Sequence, residues 1–296
     1  MHLSHTSAYG SAKFDQAYFK PITRVIILTM IDILKKAATS AGSVLLKYYQ
    51  KDLIIAYKNS SHKMLVTKAD TEAQKTVFDV IIKEMVLRGF KKDEVGFIGE
   101  ENLSRPGLHT FVIDPLDGTT NFASGLPYFA TSIGYFYKGI LQSGVIYVPV
   151  FKEMFYAELG KGAYYQNGKR LKITYQPLDK SIINGYLNSA TKIHNKQLKI
   201  YQNFLPKIRA LRNIGSIAVE LSYTAKNIFN LSINGHACIW DIAAGSIIVS
   251  EAGGQMVDWN GKTIVPTLTQ IDYQTISGHP KAIKDIIGYF LSPTGK

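Results

Sequence analysis

The chain has 296 residues, 46% hydrophobic and 19% charged, with 34 lysines and arginines against 22 acids for a formal net charge of +12. These proportions exclude a globally disordered chain and allow one large domain or two ordinary ones around a sizeable core. A single cysteine, Cys238, excludes an internal disulfide framework and a cysteine-based zinc cluster, and no apolar run reaches the roughly 20 residues of a membrane span.

Residues 1–29 read as an N-terminal extension, either poorly ordered or upstream of the true start. Their apolar patch at 25–28 is too short for a secretory leader and lacks a small-residue cleavage site. Residues 31–49 place Leu34, Ala37, Ala38, Ala41, Val44, Leu45 and Tyr48 on one helical face. After a polar loop at 58–63, Asp70 opens a second helix with Ala73, Val77, Ile81 and Met85 inward. One strand leads into Phe97-Ile98-Gly99 and a second covers 110–113, where Pro115 is expected to end the pairing. From 130 the period becomes that of β structure. Strands at 130–137, 140–148, 153–158 and 163–165, parted by glycine turns and Pro149, predict an antiparallel meander. Beyond about 180 helices and strands alternate, closing with a helix at 241–252, a strand GQMVDW and a helix near 280–291. The order predicts a layered α+β sandwich whose halves are 30–180 and 181–296.

The charge excess is concentrated. Residues 181–219 carry Lys192, Lys196, Lys199, Lys207, Arg209 and Arg212 with no acid. The lysines at 192, 196 and 199 fall on one helical face, with Ile193, Leu198 and Phe204 available for another. A solvated face is the plainer reading and a polyanion-binding surface the sharper one. The histidines show no metal-ligand spacing. His236 and Cys238 alternate into Trp240 on an expected strand, which points to packing for both.

The stretch FVIDPLDGTTNF, residues 111–122, sets Asp114 and Asp117 at the end of a buried strand, ahead of the start of a helix at Gly118-Thr119-Thr120. Free amides and the helix dipole there attract an anion such as phosphate. Carboxylates beside that cradle would repel the anion unless a hard cation such as Mg²⁺ bridges them. Each acid also has a plainer explanation: Asp117 as a helix cap, Asp114 in an Asx turn, Asp70 and Asp241 as caps, Glu100 and Glu101 as surface charge. Four carboxylate sites at apolar element boundaries strain capping as a joint account, and convergence on one metal site is simpler.

With these motifs the chain resembles the inositol monophosphatase family of Mg²⁺-dependent, lithium-sensitive phosphatases. The resemblance runs from about Ile31 to the C-terminus. It rests on GEE at 99–101, DPLDGTTNF at 114–122 and WDIAAGSIIVSEAGG at 240–254, supported by VTKAD at 66–70 and Gly215-Ser216. It implies a layered αβαβα sandwich and a homodimer; a cytoplasmic location is expected from the single cysteine, which suits a reducing compartment. The resemblance also implies two to three Mg²⁺ ions bound by Glu100, Asp114, the Leu116 carbonyl, Asp117 and Asp241. Glu100 and Thr119 would activate water, with Asp70 supporting a further metal or fixing Thr119. The amides of Gly118, Thr119 and Thr120 would hold phosphate, and Gly215, Ser216, Asn234 and Asp241 would border the rest of the substrate. The expected reaction is metal-assisted hydrolysis of a small polyol or sugar phosphate.

Two positions depart from the inositol-specific pattern: Asn234 stands where an acid contacts sugar hydroxyls, and Ile217 where the residue is small. The same fold also serves 3′-phosphoadenosine 5′-phosphate, fructose 1,6-bisphosphate and histidinol phosphate. An aspartyl-phosphate phosphatase of the haloacid dehalogenase type needs DxD and is set aside, because two residues separate Asp114 from Asp117. A regulatory partner of nucleic acid or its machinery, using the basic 181–219 region, is the reading from a different class.

Overall fold

The computed structural model describes residues 21–51, 55–57, 65–100, 103–186 and 191–291. Two helices, α1 (Pro21–Tyr48) and α2 (Lys68–Leu87), follow one another across a short antiparallel pair, β1 (Ile55–Tyr57) and β2 (Leu65–Thr67). Helix α1 begins ten residues before the onset of clear periodicity, with Pro21 at its first position, where a missing N–H costs no helical bond. Residues 21–29 are therefore helical rather than part of an irregular extension; residues 1–20 lie outside the described residues.

An eight-stranded sheet comes next. It contains β3 (Val95–Gly99), β4 (Leu103–Arg105), β5 (His109–Asp117), β6 (Ala130–Tyr137), β7 (Ile140–Val148), β8 (Glu153–Glu158), β9 (Gly162–Tyr165) and β10 (Lys169–Arg170), in the order β10-β9-β8-β7-β6-β5-β3-β4. Only β3 and β5 run parallel; the rest is the expected meander. A five-residue helix, α3 (Thr119–Ala123), interrupts the chain between β5 and β6.

The second sheet has the order β12-β11-β13-β15-β14, from β11 (Ile182–Tyr186), β12 (Ala210–Arg212), β13 (Leu231–Cys238), β14 (Gln255–Val257) and β15 (Asp272–Gly278). Its helices are α4 (Thr191–Phe204), α5 (Ile217–Ala225), α6 (Ile239–Glu251) and α7 (Pro280–Leu291).

Three hydrophobic clusters define the layers. The inward faces of α1 and α2 cover one side of the first sheet, with Ala37, Ala41, Val77 and Ile81 fully buried against Phe111 and Ile133. The other side packs on α5 and α6, joining Phe136, Ile146 and Phe155 to Leu221, Ile242 and Ile248. A third cluster ties the second sheet to α4 and α7 through Ile200, Phe204, Ile233, Ile276 and Ile286. The result is the expected αβαβα sandwich.

The middle layer is set by small residues. A Cβ on Gly134 would lie 2.8 Å from the Ala243 Cβ, and one on Gly144 2.7 Å from the Ala244 Cα. These two glycines face each other across β6 and β7, so α6 lies directly on the sheet. On α4 the expected apolar face is corrected: Gln197, Ile200, Tyr201 and Phe204 are buried, whereas Leu198 is exposed.

Candidate active site

Strand β5 does not stop at Pro115. It pairs with β6 through Asp114↔Ser132 and again through Asp117↔Ala130, with a bulge between. Proline fits there because the bulge takes one residue out of the ladder, so its missing N–H breaks no bond. The Thr131 hydroxyl donates to the Pro115 carbonyl at 2.9 Å, which satisfies the other backbone group. The bulge turns both aspartates to the site while the Leu116 side chain enters the core.

Asp114 and Asp241 make the local bonds that the plainer explanation required. Asp114 Oδ1 accepts from the Leu116 amide at 2.9 Å, an Asx turn. Asp241 Oδ2 accepts from the Cys238 amide at 2.6 Å at the start of α6. Asp117 caps a helix too, but not α3. Its Oδ2 accepts from the Ser216 hydroxyl at 2.6 Å and the Ala218 amide at 2.5 Å, at the start of α5 about a hundred residues later. Capping and convergence are therefore the same arrangement. The positive ends of α5 and α6 both point at the carboxylates and help to bear their charge.

One oxygen each from Asp114, Asp117 and Asp241 lies within 4.8 Å of the others. Burial pushes Asp114 and Asp241 well above the ordinary carboxylate range, and the neighbouring acids push them further. Asp117 rises to about 6, burial again leading, while the bonds from Ser216, Ala218 and Ile217 hold it down. Three carboxyls that repel one another, two buried and one half-buried, are a poor resting state for a protein and a good receptor for a hard dication. Their all-oxygen donor set suits Mg²⁺.

Glu100, half-buried in the turn after β3, is not among those three oxygens, but its charge is felt at all three aspartates. Asp70, buried in the first turn of α2, is felt at Asp114. Glu101 lies outside the described residues.

The GTT turn has the expected form. Gly118 is left-handed, with φ +92°, and precedes the five-residue α3. A Cβ on it would sit 2.9 Å from the Tyr128 carbonyl oxygen, so glycine is needed for both conformation and space. The Thr119 hydroxyl donates to the Leu116 carbonyl at 3.1 Å, bringing together two of the expected site groups. Thr120 is exposed at the turn. Gly215 and Ser216 adjoin the site through Asp117. Asn234 does not open toward it: the side chain is fully buried and donates to Ser232 Oγ at 3.2 Å.

Glu220, inside the apolar α5, was not singled out from the sequence. It is completely buried, accepts from the Gly215 amide at 3.2 Å and from Ser232 Oγ at 3.5 Å, and is pushed up to about 8 by burial and by the Asp117 charge. An acid within IAVELSYTA was the available signal. His236 and Cys238 depart from the packing expectation, since His236 is exposed and both face Asp272 on β15.

The sequence profile of the inositol monophosphatase family matches residues 28–288. The chain belongs to the inositol monophosphatase family. Members of this family are metal-dependent phosphatases, and the donor set here fits that chemistry. The Nus factor SuhB of Pseudomonas aeruginosa is 33% identical over 239 residues, covering 78% of this chain and 86% of that protein. The fructose-1,6-bisphosphatase/inositol-1-monophosphatase of Thermotoga maritima is 34% identical over 205 residues, 69% of this chain and 75% of its own. Among solved structures, the extragenic suppressor protein SuhB of Bartonella henselae superposes with a TM-score of 0.80 at 28% identity, over 88% of this chain and 98% of its own. Among the described residues no helix is long and apolar enough to cross a membrane.

Proposed function

We propose that the chain is a Mg²⁺-dependent phosphomonoesterase that hydrolyses a small polyol or sugar phosphate of the inositol-1-phosphate type. The convergence of Asp114, Asp117 and Asp241 from two distant segments supports this most directly. These three, with Glu100 and the Leu116 carbonyl, would hold two to three Mg²⁺ ions. When bound, the ions acidify a water and offset charge on the phosphate and on the departing oxygen.

The chain's own groups do the rest. The Gly118, Thr119 and Thr120 amides orient the phosphoryl oxygens. Glu100, acting with the Thr119 hydroxyl, takes the proton of the attacking water, and Asp70 supports that arrangement. Ser216 and Ala218 hold Asp117 in place. Asp241, Gly215 and Ser216 border the leaving group, whereas Asn234, expected there too, is buried away from it. No covalent phosphoenzyme is needed.

Asn234 and Ile217 favour a pocket narrower and less acidic than that of inositol-specific members. Fructose 1,6-bisphosphate, 3′-phosphoadenosine 5′-phosphate and histidinol phosphate therefore belong in the substrate screen, the first also by the Thermotoga relative's name. Inhibition by Li⁺, a homodimer and a cytoplasmic location are parts of the same proposal.

The test is phosphate release from these esters with and without Mg²⁺, and with Asp117→Asn. Mg²⁺-dependent turnover that the substitution abolishes supports the reading. Turnover unchanged in the mutant sinks it.

A second reading is favoured by the SuhB relatives' Nus factor name and by the exposed Lys199, Lys207, Arg209 and Arg212. On this reading the basic region binds nucleic acid or its machinery. Such binding weakens steeply with salt and survives Asp117→Asn. Binding that is insensitive to salt counts against it.

A further inference from the structure

Outside the carboxylate site, three different donor types meet where the inner strands β13 and β15 of the second sheet end and begin. His236 and Cys238 are two residues apart on β13, and Asp272, the first residue of β15, is the register partner of Cys238. A bulge between Asn234 and Ala237 adds a residue to β13 opposite β15. Such bulges re-aim side chains. Asn234, before the bulge, is buried, whereas His236, within it, is exposed beside Asp272.

The donor atoms are set at metal-ligand spacing. His236 Nε2 lies 3.3 Å and Cys238 Sγ 3.8 Å from Asp272 Oδ1, and all three donor atoms lie within 4.8 Å of one another. Ligands at ordinary zinc bond lengths in a tetrahedron stand roughly 3.5 Å apart. We propose that His236, Cys238 and Asp272 form a separate site for a borderline-soft divalent cation of the Zn²⁺ class, with one coordination position left open.

The chemistry separates this site from the first. A thiolate and an imidazole select borderline-soft ions, whereas three carboxylates select hard ones. Asp272 also lines an open cleft of about 500 Å³ with Asp258, Lys262, Gln270 and Gln274, so its carboxylate is reachable from solvent. Burial keeps the Cys238 thiol protonated, and the charges of Asp241, Asp272, Glu100 and Asp114 reinforce it. On binding, the S–H bond breaks, the sulfur pair goes to the metal and the proton leaves to the buffer. The metal undergoes no redox change.

The same distances also suit an ion pair with a thiol beside it, and a direct experiment separates the two. Cys238 is the chain's one cysteine. A thiolate-to-metal charge-transfer absorption on titration with Cd²⁺ therefore reports this position alone. The titration is run on the full chain in excess Mg²⁺, which occupies hard oxygen sites and leaves thiolates alone. The expected result is a band saturating at one Cd²⁺ per chain, lost in Cys238→Ser. In His236→Ala and in Asp272→Ala the dissociation constant should rise tenfold or more. Both substituted side chains are well exposed, at 49% and 71%, and matching far-ultraviolet circular dichroism confirms that the variants fold. Unchanged affinity in both alanine variants would reduce the site to a lone thiol and overturn the proposal. Absence of the band at millimolar Cd²⁺ would overturn it as well.

Discussion

Replacing Glu220 by glutamine should make the metal-free protein more stable at neutral pH, by an amount that grows with pH. The folded carboxyl titrates near 8 against an ordinary value of 4.5. Between those limits the unfolded chain releases the proton while the folded chain retains it. The folded state then binds more protons, and stability falls as pH rises. The slope is a little over 1 kcal/mol per pH unit, so on the order of 3 kcal/mol has gone by pH 7, and the loss levels off above pH 8. Glutamine matches the protonated acid in shape, can still accept from the Gly215 amide and carries no charge. Urea denaturation of both proteins in a chelator, from about pH 5 to 9, measures the difference. Asp114, Asp117 and Asp241 titrate in both proteins, so most of their contribution cancels in the comparison. The curves should converge toward pH 4.5 and separate through pH 8. Parallel curves would refute the reasoning, because Glu220 would then titrate alike in the folded and unfolded chains.

Three further predictions concern the carboxylate site. Asp114 and Asp241 titrate well above the usual range, so Mg²⁺ binding near neutral pH should expel protons and weaken as pH falls. Calorimetry in two buffers of different ionisation heat should give different apparent enthalpies, and equal values would contradict the elevated carboxyls. Ser216→Ala removes the 2.6 Å bond to Asp117 and the cap of α5, and should cost about 1–3 kcal/mol of stability together with Mg²⁺ affinity, with partial rescue by threonine. Gly118→Ala places a Cβ 2.9 Å from the Tyr128 carbonyl oxygen at φ +92°. It should cost at least ~1 kcal/mol in denaturant titrations and tenfold or more in turnover, whereas wild-type behaviour would show that the turn can relax.

Much of the fold was legible because its signals are local. The inward residues of α1 and α2 follow from helical spacing, and the meander follows from alternation punctuated by glycine turns. Pro115 misled because a proline read alone ends a strand, whereas a bulge can absorb it. Leu198 misled because α4 buries the polar Gln197 in its place. Alternation sets His236 and Cys238 on a shared face but does not reveal that the exposed Asp272 lies opposite it.

Periodicity and turn chemistry determined which segments of this chain would be helix or strand, and they put Asp114, Asp117 and Asp241 at the ends of those segments. Tertiary structure alone decided that the ends meet. Asp117 reaches the cap of α5 across the same layer in which α6 lies directly on Gly134 and Gly144, next to the β5 bulge. The packing of the layers buries Glu220, and the pairing of β13 with β15 sets His236 and Cys238 beside Asp272. Burial patterns encode how each segment faces its neighbours. The distance between residues a hundred positions apart is set by how closely the layers pack.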